Sequence, residues 1–443
     1  MGAENVLPWA PIMVRMSMSG PPVDPLLRRH SSNELPDDGS ASAENSESPT
    51  SANMEQSRRT SLIAAGALAL VAAIAVAVVA RDDGPPALQP VLSVDGWAPY
   101  WALEASAEEI SRRAGSMREV SPFWFKVTSV TKIETERNAP LELTEKFLKN
   151  TRGALVVPSI VDGLAAGQMA AILANEKTRQ LHIETIVKFA ENGDYDGIDL
   201  NYEQFAFADG RDTWEATRPN WVSFVKELAK ELHNDDRTLT VSIPVVYNKH
   251  RDPDSGYWVY DYGGIIKHVD HIRMMAYDYS VAEPGPIAPL DYVQRAIDGA
   301  IEATGKPEKL VLGLPAYGRN WPVSSKGNCP EPDGENNITV PGKTSVTARS
   351  VDDLIKRRNA TPIYNSTTAE WWFEYKLEIS DGSETCVQTR QVHYIDAIGI
   401  RARMDLAIQA RLGGVALWAL GFDDEEIWDA ILFDATLPGT ITD

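Results

Sequence analysis

The stretch from Tyr195 to Glu203 reads YDGIDLNYE and carries the strongest indication of the fold. As a β-strand it places Asp199, Asn201 and Glu203 on one side and the apolar residues between them on the other. A carboxylate in a protein interior costs folding free energy unless it is paired or takes part in function. A strand with a polar inner side that ends on a glutamate is typical of a β/α barrel with its active site at the C-terminal rim. A solvated edge strand is the alternative, and Gly197 and the flanking apolar runs argue against it.

Seven further apolar runs of strand length extend outward from this stretch, with amphipathic helical segments between them. They lie at residues 93–97, 121–127, 154–160, 239–245, 271–277, 310–314 and 415–420. Eight strands that alternate with helices predict an α/β fold, the (β/α)8 TIM barrel. We place this domain at residues 91–437. The seventh and eighth strands start much farther apart than one βα unit requires, which predicts an insertion at about residues 320–393, before the last strand.

Both cysteines, Cys329 and Cys386, lie inside this insertion. In an exported protein we expect a disulfide between them, because disulfides form and persist in oxidising compartments. Two unrelated thiols are the alternative.

The chain before the barrel has a different composition. Residues 1–60, rich in small polar and acidic residues, predict a disordered cytoplasmic tail. Residues 61–80, SLIAAGALALVAAIAVAVVA, carry no charge and are long enough to span a bilayer core of about 30 Å. We expect a transmembrane signal-anchor there, with a cleaved signal peptide as the alternative. Residues 81–90 form a linker.

The charges around residues 61–80 predict the orientation. Arg58 and Arg59 precede the segment, and such basic residues favour the cytoplasmic side. We therefore expect a single-pass protein of the cell membrane with its barrel outside, or a secreted protein if the segment is cleaved.

The composition excludes several classes of function. The 42 basic against 63 acidic side chains give a net charge of −21, which argues against a nucleic-acid partner. Two cysteines and seven histidines, of which only His268 and His271 lie close in sequence, predict no metal site. We expect a monomer without cofactor that contacts the lipid bilayer through residues 61–80.

The sequence resembles glycoside hydrolase family 18, the chitinase-like barrels. YDGIDLNYE matches the fourth-strand signature of that family at all positions but one. The segments MAYDY at 275–279, GLPAYG at 313–318 and GVALWALG at 414–421 look like its sixth, seventh and eighth strands. The insertion resembles the small α+β domain that many members carry. The resemblance lies nearer the bacterial cell-wall and spore-cortex group than the digestive chitinases.

The resemblance implies the roles of the site residues. Glu203 corresponds to the acid that protonates the glycosidic oxygen, while the substrate's own acetamido oxygen acts as the nucleophile. Tyr277 corresponds to the hydroxyl that donates to that oxygen, Asp278 to a sugar contact, and Trp418 to the apolar floor under the sugar.

Six further residues complete the expected site. Asp199 and Asn201 belong with the catalytic group. Trp97 and Tyr279 are candidates for sugar contact, and Asp196 and Gly197 for a structural role. Other aromatic residues are weighed as stacking subsites, with core packing as the alternative: Tyr100, Trp101, Trp124, Trp258, Trp321, Trp371 and Trp372.

The departure from the family lies at Asn201, where members carry an aspartate. An asparagine still accepts the acetamido N–H through its carbonyl oxygen, but it supplies only a dipole. Asn201→Asp raises the rate if the amide is merely a weakened carboxylate, and lowers it if the chemistry is built around the amide.

The sequence therefore predicts an exported glycosidase that hydrolyses β-1,4-linked glycans containing N-acetylglucosamine, either chitin oligomers or peptidoglycan. The expected mechanism is retaining and substrate-assisted. A non-catalytic, lectin-like cell-surface barrel is the alternative, and the presence of Glu203 argues against it.

Overall fold

The computed structural model describes residues 92–245, 256–331 and 340–435. Numbered in chain order, the strands are β1 (Ser93–Pro99), β2 (Glu119–Phe123), β3 (Phe125–Ser129), β4 (Lys132–Thr135), β5 (Leu155–Val156), β6 (Ser159–Asp162), β7 (Gly197–Asn201), β8 (Thr238–Pro244), β9 (His271–Met275), β10 (Leu310–Pro315), β11 (Tyr317–Gly327), β12 (Thr344–Thr347), β13 (Ile363–Asn365), β14 (Glu370–Ser380), β15 (Thr385–Tyr394) and β16 (Gly414–Trp418).

The α-helices lie between these strands. They are α1 (Leu103–Arg113), α2 (Leu141–Lys149), α3 (Gln168–Ala174), α4 (Glu176–Asn192), α5 (Gln204–Phe207), α6 (Trp214–His233), α7 (Tyr262–Ile265), α8 (Leu290–Thr304), α9 (Ala348–Arg358), α10 (Ala397–Gln409) and α11 (Glu425–Ala435). Short 3-10 helices occupy Tyr100–Ala102, Ala114–Ser116, Arg211–Thr213, Gly256–Tyr260 and Pro307–Lys309.

The parallel strands close into a barrel, as the sequence predicts. Strands β7, β8, β9, β10, β16 and β1 pair in that order, and β1 pairs with β2. The second barrel strand is divided into β2 and β3, and the third into β5 and β6. The barrel closes because β2 pairs with β5, β3 pairs with β6, and β6 pairs with β7. The predicted strand 154–160 is interrupted before β6 by Pro158, which has no N–H to donate to a ladder.

The stretch around β7 folds as its alternation requires. Leu200 and Tyr202 are fully buried, and Tyr202 bonds His182 of helix α4 through its hydroxyl, so this side faces the helices. Gly197 is needed for close pairing, because a Cβ there would lie 2.6 Å from the carbonyl oxygen of Thr238. Asp196 lies just before β7, and its Oδ2 accepts the backbone N–H of Val156 at 2.7 Å.

The insertion between β10 and β16 is an antiparallel sheet in the order β12-β11-β15-β14-β13, with helix α9 attached. Its own small core includes Phe373 and Val392. The expected disulfide between Cys329 and Cys386 is present. Glu370 of β14 ties the sheet to the barrel: it accepts the backbone N–H groups of Ile287 and Ala288 and pairs with the buried Arg403 of α10 at 3.0 Å.

The predicted tail, transmembrane segment and linker, residues 1–60, 61–80 and 81–90, lie outside the described residues. Within the described ranges, no helix combines the length and the apolar character needed to cross a bilayer.

Candidate active site

A pocket with an empty volume of about 830 Å³ opens where the barrel strands end. Aromatic side chains supply much of its wall, and polar groups converge at its centre. The lining residues are Trp97, Tyr100, Trp101, Phe123, Trp124, Phe125, Glu136, Val161, Asp162, Asn201, Glu203, Gln204, Met275, Tyr277 and Trp418.

Glu203 lies two residues beyond the end of β7 and is partly exposed in the pocket. Burial raises the pKa of its carboxyl to about 7; a hydrogen bond from Asn201 opposes the rise, and the negative charge of Asp278 adds to it. A carboxylic acid with a pKa near 7 holds a proton at neutral pH and can deliver it, which is the property a general acid needs.

Asn201 is the last residue of β7 and lies beside Glu203 on the pocket wall. Its Nδ2 donates to the carbonyl oxygen of Ser242 at 3.1 Å, which fixes the orientation of the amide. Its Oδ1 accepts no hydrogen bond within the described part of the chain. Since an amide oxygen is only an acceptor, Asn201 presents an unused acceptor at the pocket.

Tyr277 and Asp278 lie just beyond β9, which ends at Met275, two residues before the end of the predicted strand. The phenol of Tyr277 lines the pocket, and burial together with Glu203 and Asp278 holds its pKa well above the usual value, so it stays a neutral donor. Asp278 adopts a left-handed backbone conformation at φ 59°. Its Oδ1 accepts hydrogen bonds from the Tyr317 hydroxyl and from Arg319 Nη2, and these two residues fix its direction.

Trp418, the last residue of β16, and Trp97 of β1 form an aromatic corner of the pocket. Their rings meet edge to face with centroids 5.8 Å apart. Phe123 and Trp101 also pack edge to face on Trp418, at 5.0 and 6.2 Å. Such a wall offers the flat apolar surface on which a sugar ring packs.

Asp199 lies beneath the pocket and is fully buried. Its Oδ2 accepts from Trp97 Nε1 at 3.0 Å, Ser159 Oγ at 2.5 Å and Arg273 Nη1 at 3.3 Å, while Oδ1 accepts from Ser242 Oγ at 2.6 Å. A carboxylate has about four positions at which it can accept a hydrogen bond, and these four donors fill them. The geometry therefore gives Asp199 a positioning role rather than a contact with substrate.

The structure does not bring every predicted residue to the pocket. Tyr279 is 39% exposed, packs on Tyr292 with ring centroids 5.1 Å apart, and is not part of the pocket lining. Trp258, Trp321, Trp371 and Trp372 also lie outside that lining, whereas Tyr100, Trp101 and Trp124 are part of it.

Several pocket residues escape the sequence reasoning. Phe123 and Met275 are the last residues of β2 and β9, and Gln204 follows Glu203. For Phe123 and Met275 the position at a strand end is a usable signal, because barrel sites lie there, whereas Gln204 begins helix α5. Glu136 has no such signal, since it follows β4 in a hairpin that the sequence pattern does not predict.

The described residues hold no group of three or more His, Cys, Asp and Glu side chains able to bind a metal. His271 begins β9 and contacts Glu119 and Arg118 instead, at 3.4 and 2.6 Å.

Comparison with known proteins agrees with this geometry. Residues 128–423 match the family model described as glycosyl hydrolases family 18. A relative from Bacillus subtilis, named uncharacterized glycosylase YvbX, is 24% identical over 270 residues, which cover 60% of this chain and 69% of the relative. The chain spans about half the length of several other curated relatives.

Two solved structures share the fold. A chitinase from Chromobacterium violaceum superposes with a TM-score of 0.63 at 22% identity, covering 78% of this chain and 99% of that one. The spore cortex-lytic enzyme SleL of Bacillus megaterium superposes with a TM-score of 0.62 at 20% identity, covering 80% of this chain and 76% of that one. The chain belongs to glycosyl hydrolases family 18 and is a glycoside hydrolase that acts on O-glycosyl bonds.

Proposed function

We propose that the protein is an exported glycosidase that cleaves β-1,4-linked glycans containing N-acetylglucosamine by retaining, substrate-assisted catalysis. One observation carries the proposal: Glu203, with a pKa raised to about 7, shares an aromatic pocket with the unused acceptor of Asn201 and the neutral phenol of Tyr277. An acetamido group needs this set of partners, one for its N–H and one for its oxygen.

The reaction begins with a proton transfer from Glu203 to the glycosidic oxygen. The bond from C1 to that oxygen breaks as the acetamido oxygen of the same sugar bonds to C1, giving a cyclic oxazolinium species. Tyr277 donates its O–H to the acetamido oxygen, and Asn201 Oδ1 accepts the N–H. Water then attacks C1, Glu203 takes the proton of that water, and the ring reopens with net retention at C1.

The surroundings of Glu203 favour a nucleophile from the substrate over one from the protein. A retaining enzyme with its own nucleophile needs a second free carboxylate about 5 Å from the acid. The next carboxylate on the same face of β7 is Asp199, which is fully buried and engaged by four donors. Asn201, between the two, has no carboxylate to offer. Two other carboxyl groups line the pocket: burial raises the pKa of Asp162 to about 7, which weakens it as a nucleophile, and Glu136 pairs with Lys126 at 2.9 Å.

Two polymers contain the sugar that this mechanism requires. A solved structure with the same fold is named a chitinase, and another is named a spore cortex-lytic enzyme, so chitin oligomers and peptidoglycan are both proposed as substrates. The acidic chain, with a net charge of −21, suits a neutral glycan better than an anionic one.

Product analysis tests this proposal. The purified chain is incubated separately with N-acetylglucosamine oligomers and with purified peptidoglycan, and products are identified by mass. We expect shorter oligomers with the β-anomer formed first, as followed by proton NMR. Products of inverted configuration would refute the mechanism, and binding without any cleavage would point to a lectin.

We also propose that the catalytic domain works outside the cytoplasm. The disulfide between Cys329 and Cys386 supports this, because disulfides are rare where thiols are kept reduced. The uncharged segment 61–80 supplies a signal-anchor or a cleaved signal. Protease added to intact cells should degrade an anchored barrel, or the barrel should appear in the medium. A protected barrel in the soluble fraction would contradict export.

A further inference from the structure

A buried ionic network fills the barrel directly beneath the pocket. Arg273 of β9 is fully buried, and its guanidinium reaches three carboxylates. Nε donates to Asp95 at 3.2 Å, Nη2 to Glu119 at 2.7 Å, and Nη1 to Asp199 at 3.3 Å. Nη1 also donates to Ser121 Oγ at 2.6 Å. One side chain therefore joins four barrel strands.

The guanidinium of Arg273 supplies the positive charge at the centre of this network. Burial alone would lower the pKa of Arg273, but the three carboxylates around it raise that pKa above its ordinary value. A guanidinium is protonated in proteins under all ordinary conditions. Asp199 therefore faces a permanent positive charge, which offsets the cost of holding a carboxylate in the barrel interior.

Two routes lead from Arg273 to the residues that meet the substrate. Along the first, Asp199 Oδ1 accepts from Ser242 Oγ at 2.6 Å, and the carbonyl oxygen of Ser242 accepts the amide of Asn201 at 3.1 Å. Along the second, the guanidinium lies over the ring of Trp97 at 5.2 Å, and Trp97 Nε1 donates to Asp199. Trp97 in turn packs against Trp418.

We propose that Arg273 is a positioning residue of the glycosidase site, which acts through Asp199 and Trp97 to hold the Asn201 amide and the aromatic corner in place. This proposal rests on the proposed function, since the groups it positions are those assigned to the acetamido sugar. Arg273 touches no substrate atom in this account. Its effect appears in turnover, because a displacement of about 1 Å in the groups of an active site lowers the reaction rate by up to roughly 100-fold.

The test is the variant Arg273→Lys, which keeps the charge but not the fork of donors. A lysine nitrogen cannot bond Asp95, Glu119, Ser121 and Asp199 at once. We expect kcat on N-acetylglucosamine oligomers to fall by about tenfold, with a small change in KM. A kcat within about twofold of the parent protein would overturn the proposal.

Arg403→Lys is the matched control. Arg403 is also fully buried and pairs with Glu370 at 3.0 Å, but it belongs to helix α10, faces the insertion and lies outside the pocket lining. Both variants lose stability, as measured by thermal unfolding, and only the change at Arg273 should slow turnover. Equal losses of kcat in the two would show a merely structural role.

A double-variant cycle with Asp199→Asn tests the route. If Arg273 acts through Asp199, the double variant Arg273→Lys/Asp199→Asn is no slower than Asp199→Asn alone, because the effects of substitutions at coupled residues do not add. Losses that multiply would refute that route. A parent protein that cleaves no N-acetylglucosamine oligomer would refute the proposed function instead, so the two failures are distinguishable.

Discussion

Replacing Asn201 by leucine should move the pH dependence of the enzyme upward. The side chain keeps a similar volume but loses both the donor and the acceptor of the amide. In the parent protein the amide donates a hydrogen bond that lowers the pKa of Glu203, while burial keeps that pKa at about 7. A hydrogen bond to a charged group contributes about 1.5–3 kcal/mol, and 1.4 kcal/mol corresponds to about one pKa unit.

The sign follows from which form of Glu203 the bond stabilises. Asn201 stabilises the carboxylate, so its removal favours the protonated acid and raises the pKa by roughly one to two units. Glu203 must be protonated to act, and activity is therefore lost as pH rises through its pKa. We expect the alkaline limb of the kcat/KM profile to move from near pH 7 to about pH 8–9.

The assay is kcat/KM measured from pH 5 to 10 on a chromogenic N-acetylglucosamine oligosaccharide, with circular dichroism at each pH to verify folding. The maximal rate should also fall, by about 100-fold, since the acetamido N–H loses its acceptor. An alkaline limb that stays in place, or moves to lower pH, would refute the assignment of that limb to Glu203 beside Asn201.

Three further changes have expected outcomes. Tyr277→Phe should lower kcat by about 100-fold with little change in KM, because it removes the donor to the acetamido oxygen; a loss confined to KM would contradict that role. Asn201→Asp would place a carboxylate where the amide now donates to Ser242 O at 3.1 Å, so steady-state assays should show a slower enzyme, and a faster one would contradict a site built around the amide. Cys386→Ser should destabilise the insertion by about 4 kcal/mol, since the bridge closes a loop of 57 residues; equal melting temperatures for parent and variant, both without reductant, would speak against it.

Much of the barrel follows from sequence periodicity. Alternation in YDGIDLNYE places Asp199 and Asn201 in the barrel interior and Leu200 on the side that faces the helices, and the structure confirms this. The spacing of apolar runs also predicts the insertion, whose sheet spans β11 to β15. These features are predictable because burial of one face of each strand fixes its register.

Other features depend on contacts that pattern cannot supply. The hairpin of β3 and β4 adds Glu136 to the pocket wall, although its short strands carry little apolar periodicity. Tyr279 lies beside Asp278 in sequence but points to Tyr292, because the left-handed backbone at Asp278 redirects the chain. The sequence places Arg273 in a buried strand, but only the three-dimensional structure shows which carboxylates, from distant strands, surround it.

The most direct test of the account is Glu203→Gln, assayed for both turnover and binding of N-acetylglucosamine oligomers. Glutamine keeps the shape of the side chain but has no proton to donate at neutral pH. We expect hydrolysis to fall by at least about 1000-fold, while calorimetry shows oligomer affinity within a few fold of the parent protein. Hydrolysis at the parent rate by the glutamine variant would contradict the central claim that Glu203 is the acid.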